Sequence, residues 1–183
     1  MKRISILLSL LIISSLLFVS CKNQNSKITY SGSIMLYATL DESVVNNIKY
    51  NFEEKYEGIV LDYYFGNADL VKDKIKSSFE LDLPEADVII IDNKNDLQNF
   101  KTSKNVTQYT SKEDKKIKDE YKGICDDFYA VACNENGGEY YIALVSNSMN
   151  TDNAKLLIDY LLSKKGQEEL IKDNLKSVRK DIK

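Results

Sequence analysis

The chain has 183 residues, a formal net charge of −3 and no histidine. This mildly acidic balance argues against a nucleic-acid-binding protein, which would present a basic surface. Without histidine, a G-x-S-x-G elbow, a phosphate loop or zinc-like cysteine spacing, the sequence does not predict an enzyme.

Residues 1–20 have the order of a secretory signal peptide. Two basic residues, Lys2 and Arg3, precede an uncharged apolar run that ends at Val19. The polar stretch 22–27 begins too soon for a membrane span, which needs about 20 apolar residues. We therefore expect removal of residues 1–20, which leaves 23 basic and 28 acidic side chains and a mature charge of −5.

The end of this segment contains a lipidation motif. Phe18-Val19-Ser20-Cys21 resembles the bacterial lipobox, in which a small residue precedes the cysteine that receives diacylglycerol. We predict lipidation of Cys21, with residues 21–31 as a polar tether. The tether would anchor an exported protein to the cell membrane, on its periplasmic or extracellular face. An ordinary signal peptide with a chance cysteine is disfavoured, because Cys21 falls where the apolar run ends.

Strand and helix patterns alternate after the tether. Apolar, β-branched and aromatic runs predict buried strands at residues 34–38, 59–65 and 87–92. Apolar residues three and four apart predict a helix after each of the first two strands. Thr39 and Glu42 match a capping box at the start of the first helix. The strand, helix, strand, helix, strand order predicts a parallel sheet with right-handed crossovers.

The second half of the chain is less regular. Residues 93–119 are polar and rich in lysine, and they predict short helices and loop. Two strands, at 128–132 and 140–145, are separated by the turn signal 134–138. An amphipathic helical pattern follows, interrupted by Gly166.

Two cysteines remain once Cys21 is assigned to the lipid. If the chain from Ile124 to Cys133 is one extended strand, steps of about 3.3 Å put the sulfur atoms of Cys125 and Cys133 far beyond bonding range. We therefore predict two buried thiols rather than a disulfide.

Several stretches together resemble a known family, the periplasmic substrate-binding proteins of ABC transporters, in particular the ferric-iron-binding group. The matching stretches, in order, are 36–42, 66–71, 74–76, 84–88, 141–145, 153–163, 166–167 and 177–181. The resemblance implies an α/β fold in three layers, with a mostly parallel sheet flanked by helices, like one lobe of a type II periplasmic binding protein.

The chain departs from this family in one respect. Family members have two lobes that close on a ligand, and the second lobe is inserted before the segment that begins at Tyr141. Here only residues 93–139 lie in that interval, which is too short for a full lobe. We therefore expect residues 32–183 to form a single solute-binding-like lobe, in which 93–139 is a shortened replacement of the second lobe.

A candidate ligand site follows from the predicted sheet. In an open parallel sheet, ligands bind beyond the carboxyl ends of the strands, where helix N-termini and loop amides converge. Three groups of residues occupy these positions: Tyr37, Thr39 and Asp41; Gly66, Asn67 and Ala68; and Asp92 and Asn93. For Asn67, ligand binding and simple capping of the next helix are both open. Asp41 also fits an acidic residue favoured by the helix dipole.

The resemblance raises ferric iron as a ligand. Ferric iron prefers hard oxygen donors such as tyrosinate and carboxylate. Asp41 falls where iron binders of this family often place a histidine, and their tyrosine pair belongs to the lobe that is missing here. Tyr140 and Tyr141 alternate along one strand and cannot both face one metal, so packing in the sheet is favoured for them. We therefore leave the metal ligands unassigned and expect no resident cofactor.

These observations lead to a functional hypothesis. The resemblance implies a lipid-anchored solute-binding protein that presents a small ligand, ferric iron or a small anion, to an ABC-transporter permease. The alternative is an interaction or sensor-accessory lipoprotein that retains one binding lobe without transport. In that case the lysine-rich stretch 112–122 or the exposed cleft would dock a protein partner.

Overall fold

The computed structural model describes residues 29–81 and 84–182. The predicted signal peptide, the lipidation site Cys21 and most of the tether lie outside the described residues. The strands of the described part are β1 (Gly32–Ala38), β2 (Ile59–Phe65), β3 (Val88–Ile91), β4 (Val106–Thr107), β5 (Lys122–Ile124), β6 (Phe128–Cys133) and β7 (Glu139–Val145). The helices are α1 (Glu42–Lys55), α2 (Ala68–Glu80), α3 (Lys94–Thr102), α4 (Thr151–Leu162) and α5 (Lys164–Lys172).

All the described strands belong to one sheet, in the order β2-β1-β3-β7-β6-β5, and β4 pairs with the end of β7. Strand β1 runs parallel to both β2 and β3. The α/β class, with a central sheet flanked by helices, is therefore confirmed.

The prediction of a mostly parallel sheet is right for β1–β3 and wrong for the remainder. Strands β6 and β7 form an antiparallel hairpin across a tight turn, in which Gly138 N–H donates to Asn134 Oδ1 at 2.8 Å. A turn this short can connect only antiparallel strands. Because β6 runs in the direction of β3, β7 returns antiparallel between them.

Helices cover the sheet. Helix α1 packs against β2 and against the C-terminal helices α4 and α5. Helices α2 and α3 are linked by an ion pair between Lys72 and Asp96 at 3.3 Å. Fully buried side chains of β1 and β3 fill the space beneath the helices, as the uniformly apolar strand patterns predict.

The interval 93–139 contributes to this same sheet. It contains α3, β4, two single turns of 3₁₀ helix (Asp114–Lys116 and Asp119–Tyr121), β5 and β6. The expectation of short helices and loop therefore holds for its first part. Because β5 pairs with β6 and β6 pairs with β7, the interval extends the same sheet.

Cys125 and Cys133 are both buried and carry free thiols, as predicted. The geometric reason given for that prediction is wrong. The chain turns at Cys125 and Asp126, which have φ angles of 48° and 74°, instead of running as one strand. Burial raises the pKa of both thiols, which disfavours reactive thiolates.

Buried polar side chains fix the C-terminal segment. The Gln167 amide donates to Val131 O and Leu161 O at 2.7 and 2.8 Å, and its Oε1 accepts from Ser177 Oγ and Val178 N–H, both at 2.9 Å. Every polar atom of this fully buried side chain is therefore satisfied.

Arg179 also fixes the C-terminal segment. Its guanidinium makes two bonds to the Asp181 carboxylate, at 2.7 and 2.9 Å, and one each to Glu113 Oε2 and Leu162 O. The guanidinium lowers the pKa of Asp181 to about 2. A nearly buried arginine is thus fully paired, which is the condition under which burial of a charge is tolerated.

Candidate ligand-binding site

The carboxyl ends of β1, β2 and β3 meet at one edge of the sheet. In the register of the sheet, Ala38 lies between Phe65 and Ile90. Thr39 N–H donates to Ile90 O at 2.9 Å, and Gly66 N–H donates to Ala38 O at 3.3 Å. The loops that follow the three strands therefore start side by side, as the sequence predicts. We call these loops, residues 39–41, 66–67 and 92–93, the strand-tip rim.

Two of the three helices that begin at the rim are capped by asparagine. Asn67 Oδ1 accepts the Leu70 N–H at 3.0 Å and caps α2, which begins at Ala68. Asn93 Oδ1 accepts from Asn95 N–H at 2.9 Å and caps α3. The capping interpretation of Asn67 is confirmed, and Asn93 has the same role. Both amide oxygens are therefore engaged inside the protein.

Helix α1 starts differently. It begins at Glu42, directly after Asp41, whose side chain makes no capping hydrogen bond. The predicted capping box is wrong, because the N–H of Thr39 continues the sheet toward β3 and leaves Thr39 two residues ahead of Asp41, the N-cap position. Thr39 Oγ1 is buried and has no hydrogen-bond partner among the described residues. The first N–H groups of α1 thus lack a side-chain cap and retain their partial positive charge at the rim.

Tyr140 brings a phenol to the rim. Tyr141 pairs with Ile91 at the end of β3, so Tyr140, one residue earlier in β7, lies beside the loop that contains Asp92. Burial raises the pKa of the Tyr140 phenol, and the negative charges of Asp41 and Asp92 raise it further, against a hydrogen bond with Asn134 that lowers it. The register therefore places Tyr140 beside the loop of Asp92, and Asp41 follows the neighbouring strand β1.

Tyr141 points away from this group. Tyr141 is buried, and its phenol forms a hydrogen bond with Glu139. Burial and this hydrogen bond both raise the pKa of the Tyr141 phenol. The predicted alternation of the two tyrosines is therefore correct. The conclusion that both serve only packing does not follow, because one tyrosine suffices to join Asp41 and Asp92. The alternation shows that the two tyrosines face opposite ways, but the register between β7 and β3 is needed to place Tyr140 at the rim.

Tyr37 does not belong to the rim. Its side chain is only 1% exposed and its hydroxyl donates to Glu85 Oε2 at 2.6 Å. Glu85 in turn pairs with Lys74 of α2 at 2.6 Å. The prediction of Tyr37 as a ligand-binding residue is therefore corrected. Its position within the strand directs the ring into the core against Tyr64, with the ring centroids 5.4 Å apart.

Gly66 lies at the rim without a conformational need for glycine. A Cβ atom at this position would lie 3.5 Å from Leu70 Cβ, an ordinary contact, and its φ is not in the left-handed region. Asp41 and Asp92 are both exposed at the rim.

Two open cavities have none of the rim residues in their linings. One, of about 380 Å³, lies between α3 and the turn at Cys125. The other, of about 400 Å³, is lined by several carboxylates, among them Asp119 and Asp127. Lys122 pairs with Asp119 at 3.1 Å and Lys101 pairs with Asp127 at 2.7 Å. Because lysines already neutralise these carboxylates, we assign no ligand to that cavity.

Within the part of the chain that the structure describes, no three His, Cys, Asp or Glu side chains are grouped to hold a metal ion. An oxygen site at the rim would therefore combine two carboxylates with a phenol. No helix of residues 29–81 and 84–182 has the length and apolar character that crossing a membrane requires.

Comparisons with known proteins identify the fold. The sequence matches no protein-family model and no curated protein. Among solved structures, iron-bound HitA from Pseudomonas aeruginosa is similar with a TM-score of 0.70 at 11% identity, over 82% of this chain and 88% of that chain. AfuA from Actinobacillus pleuropneumoniae, a periplasmic binding protein with fructose-6-phosphate bound, gives 0.71 at 12% identity, over 84% and 87%.

A substrate-binding protein of an ABC transporter from Agrobacterium tumefaciens gives a TM-score of 0.74 at 7% identity, over 86% of this chain and 83% of that chain. At these identities the likeness establishes the fold. The chain has the fold of periplasmic binding proteins of ABC transporters, and the resemblance found in the sequence is confirmed at that level. These neighbours, which include ferric-iron-binding proteins, are binding proteins rather than enzymes.

Proposed function

We propose that the protein is a lipid-anchored solute-binding protein that presents a small ligand to an ABC-transporter permease. The observation that carries this proposal is the convergence of Asp41, Asp92 and Tyr140 at the strand-tip rim. On this fold, the carboxyl edge of the sheet is where loop groups and helix N-termini meet. The neighbours that share the fold are binding proteins of such transporters.

The donor set favours a hard cation. Two carboxylates and a phenol supply the oxygen ligands that ferric iron prefers. They also repel a free anion, whereas the uncapped start of α1 would favour an anion bound together with the metal. Ferric iron is therefore the first candidate and a small anion the second. Thr39, Gly66, Asn67 and Asn93 would form the surrounding loops, with Ala68 at the start of α2.

A ligand screen tests this proposal. The melting temperature of the protein is measured with ferric citrate, phosphate and sugar phosphates, since a ligand at 100 times its Kd adds about 2.7 kcal/mol. We expect a rise with the ferric complex that Asp41→Asn reduces and that Asp62→Asn, an exposed carboxylate on β2, leaves unchanged. A flat response to all solutes would contradict the proposal.

The membrane anchor has its own test. Cys21→Ser should move the protein from the membrane fraction to the soluble exported fraction, because it removes the acceptor of the lipid. Copurification of a permease from solubilised membranes would support delivery to a transporter. Retention of Cys21→Ser on membranes would contradict anchoring by the lipid.

One observation favours the alternative, a sensor-accessory protein. The interval that carries a second lobe in two-lobed relatives here adds β4, β5 and β6 to the first sheet. The lysine-rich stretch is a poor docking surface, however. Lys118 donates to Ser177 O, and Lys112 and Lys122 pair with Asp159 and Asp119. Such a protein would bind its ligand yet copurify with a protein other than a permease.

A further inference from the structure

The outer edge of β2 is the longer of the two edges of the sheet. Strand β2 pairs along all seven of its residues with β1, and with no other strand within residues 29–81 and 84–182. The opposite edge strand, β5, has three residues and an irregular register. A long edge strand presents unpaired N–H and C=O groups that can accept another strand, whereas a short edge does not.

The direction of each backbone group on β2 follows from its pairing. Gly66 N–H points inward, to Ala38 O. Along a strand, the backbone N–H and C=O groups of successive residues point in alternate directions. These groups therefore point outward, away from β1, at Ile59, Leu61, Tyr63 and Phe65. Ile59 N–H is satisfied by Tyr56 O at 3.0 Å in the preceding turn.

Two side chains of α1 occupy the outward groups of Leu61. Leu61 N–H donates to Glu53 Oε1 at 2.8 Å, and Lys49 Nζ donates to Leu61 O at 2.6 Å. Lys49 and Glu53 also pair with each other at 2.7 Å. One ion pair thus fills the donor and the acceptor that an added strand would need at this position. These bonds lower the pKa of Glu53 against the opposing effect of its burial.

We propose that Lys49 and Glu53 form an edge clamp, which prevents β2 of one copy from pairing antiparallel with β2 of a second copy of this chain. The strand Ile-Val-Leu-Asp-Tyr-Tyr-Phe is β-branched and aromatic, contains neither glycine nor proline, and exposes Val60 and Phe65. Such a segment pairs readily with itself. Asp62 is its one charged residue and gives further protection.

A purely structural role is the competing explanation. An exposed i,i+4 ion pair stabilises a helix by about 0.3–0.5 kcal/mol and has no effect on strand pairing. The chain offers a matched control, since Lys164 and Glu168 of α5 form such a pair at 3.9 Å on the surface. Loss of either pair removes the same charges at the same i,i+4 spacing.

The test compares full-length chains in one detergent by sedimentation velocity and amide hydrogen exchange. In Lys49→Ala/Glu53→Ala we expect the dimer association constant to rise about tenfold or more, which corresponds to about 1.4 kcal/mol. The Leu61 amide should exchange faster in the monomer, and the Tyr63 and Phe65 amides should gain protection in the dimer. Lys164→Ala/Glu168→Ala should behave as the natural chain does.

Several outcomes would overturn the proposal. They are a folded double variant that stays monomeric, a dimer that leaves the Tyr63 amide unprotected, and a natural chain that already pairs through β2. If the double variant does not fold, Lys49→Met, which frees only Leu61 O, takes its place. It should then raise the association constant by a smaller factor, and no rise would likewise overturn the proposal.

Discussion

The two halves of the sheet differ in what they do with their polar groups. At the ends of the parallel strands β1–β3, Asp41 makes no capping bond and Thr39 Oγ1 is unpaired. In the antiparallel half, Gln167 and Arg179 direct their polar atoms to partners inside the protein. The antiparallel half, which we call the structural half, therefore holds the C-terminal segment with paired polar groups, whereas Asp41 at the strand-tip rim is exposed and uncapped.

Loss of Gln167 should be the most damaging change to the structural half. Gln167→Leu leaves Val131 O, Leu161 O and the Val178 N–H without partners in a buried site. We expect a loss of about 3 kcal/mol in the free energy of unfolding, measured by urea denaturation. Gln98→Leu, on the exposed surface of α3, is the control and should change it by less than about 0.5 kcal/mol. Equal effects would show that the buried network does not stabilise this half.

Gly166 in α5 and Gly66 at the rim differ in the space that is available for a side chain. A Cβ at Gly166 would lie 2.1 Å from Tyr160 O, so Gly166→Ala must displace backbone. We expect it to cost about 2 kcal/mol. Gly66→Ala, at the rim, meets only ordinary contacts and should stay within about 0.5 kcal/mol of the natural chain and keep ligand binding. Thermal unfolding of both variants checks this, and a severe effect at Gly66 would contradict the rim geometry.

Asp41 and Asp92 should affect the pKa of Tyr140 more than the free energy of unfolding. In Asp41→Asn and Asp92→Asn the pKa of Tyr140 should fall, because each change removes a negative charge that opposes phenolate formation. The tyrosine ¹³Cζ chemical shift, followed against pH, reports this pKa directly. Asp62→Asn serves as the control. An unchanged titration of Tyr140 in both rim variants would mean that the three groups do not share a site.

The smallest expected effect is a pH dependence in the structural half. Arg179 lowers the pKa of Asp181 from its ordinary value of 3.8 to about 2. A lowered carboxyl pKa contributes stability that is present above pH 4 and is lost as the pH falls toward 2. Asp181→Asn should therefore flatten the acid limb of stability against pH. An identical acid limb in the variant would show that the Arg179 pair does not contribute.

Elements whose structure depends on a local residue pattern can be predicted from the sequence. The spacing of apolar residues predicts β1 through β3 and the helices between them, and Asn67 was correctly weighed as a cap. The antiparallel pairing of β7 with β3 was missed, because strand pairing across a long interval leaves no local pattern.

The site was predicted in part for the same reason. Positions after strand ends located Asp41 and Asp92, because parallel strands end at one edge. Tyr37 was assigned to the rim, because the sequence near the end of a strand does not reveal which face of the sheet a side chain occupies. Tyr140 was assigned to packing, because its approach to Asp41 and Asp92 depends on the register between β7 and β3.

A ferric titration followed by visible absorption tests the central claim most directly. Iron bound by a phenolate gives a charge-transfer colour that carboxylates alone do not produce. The account predicts this colour in the natural protein and in Tyr141→Phe, and its loss in Tyr140→Phe with an unchanged melting temperature of the ligand-free chain. Colour that persists in Tyr140→Phe, or its absence from the natural protein, would contradict a ferric site at the strand-tip rim.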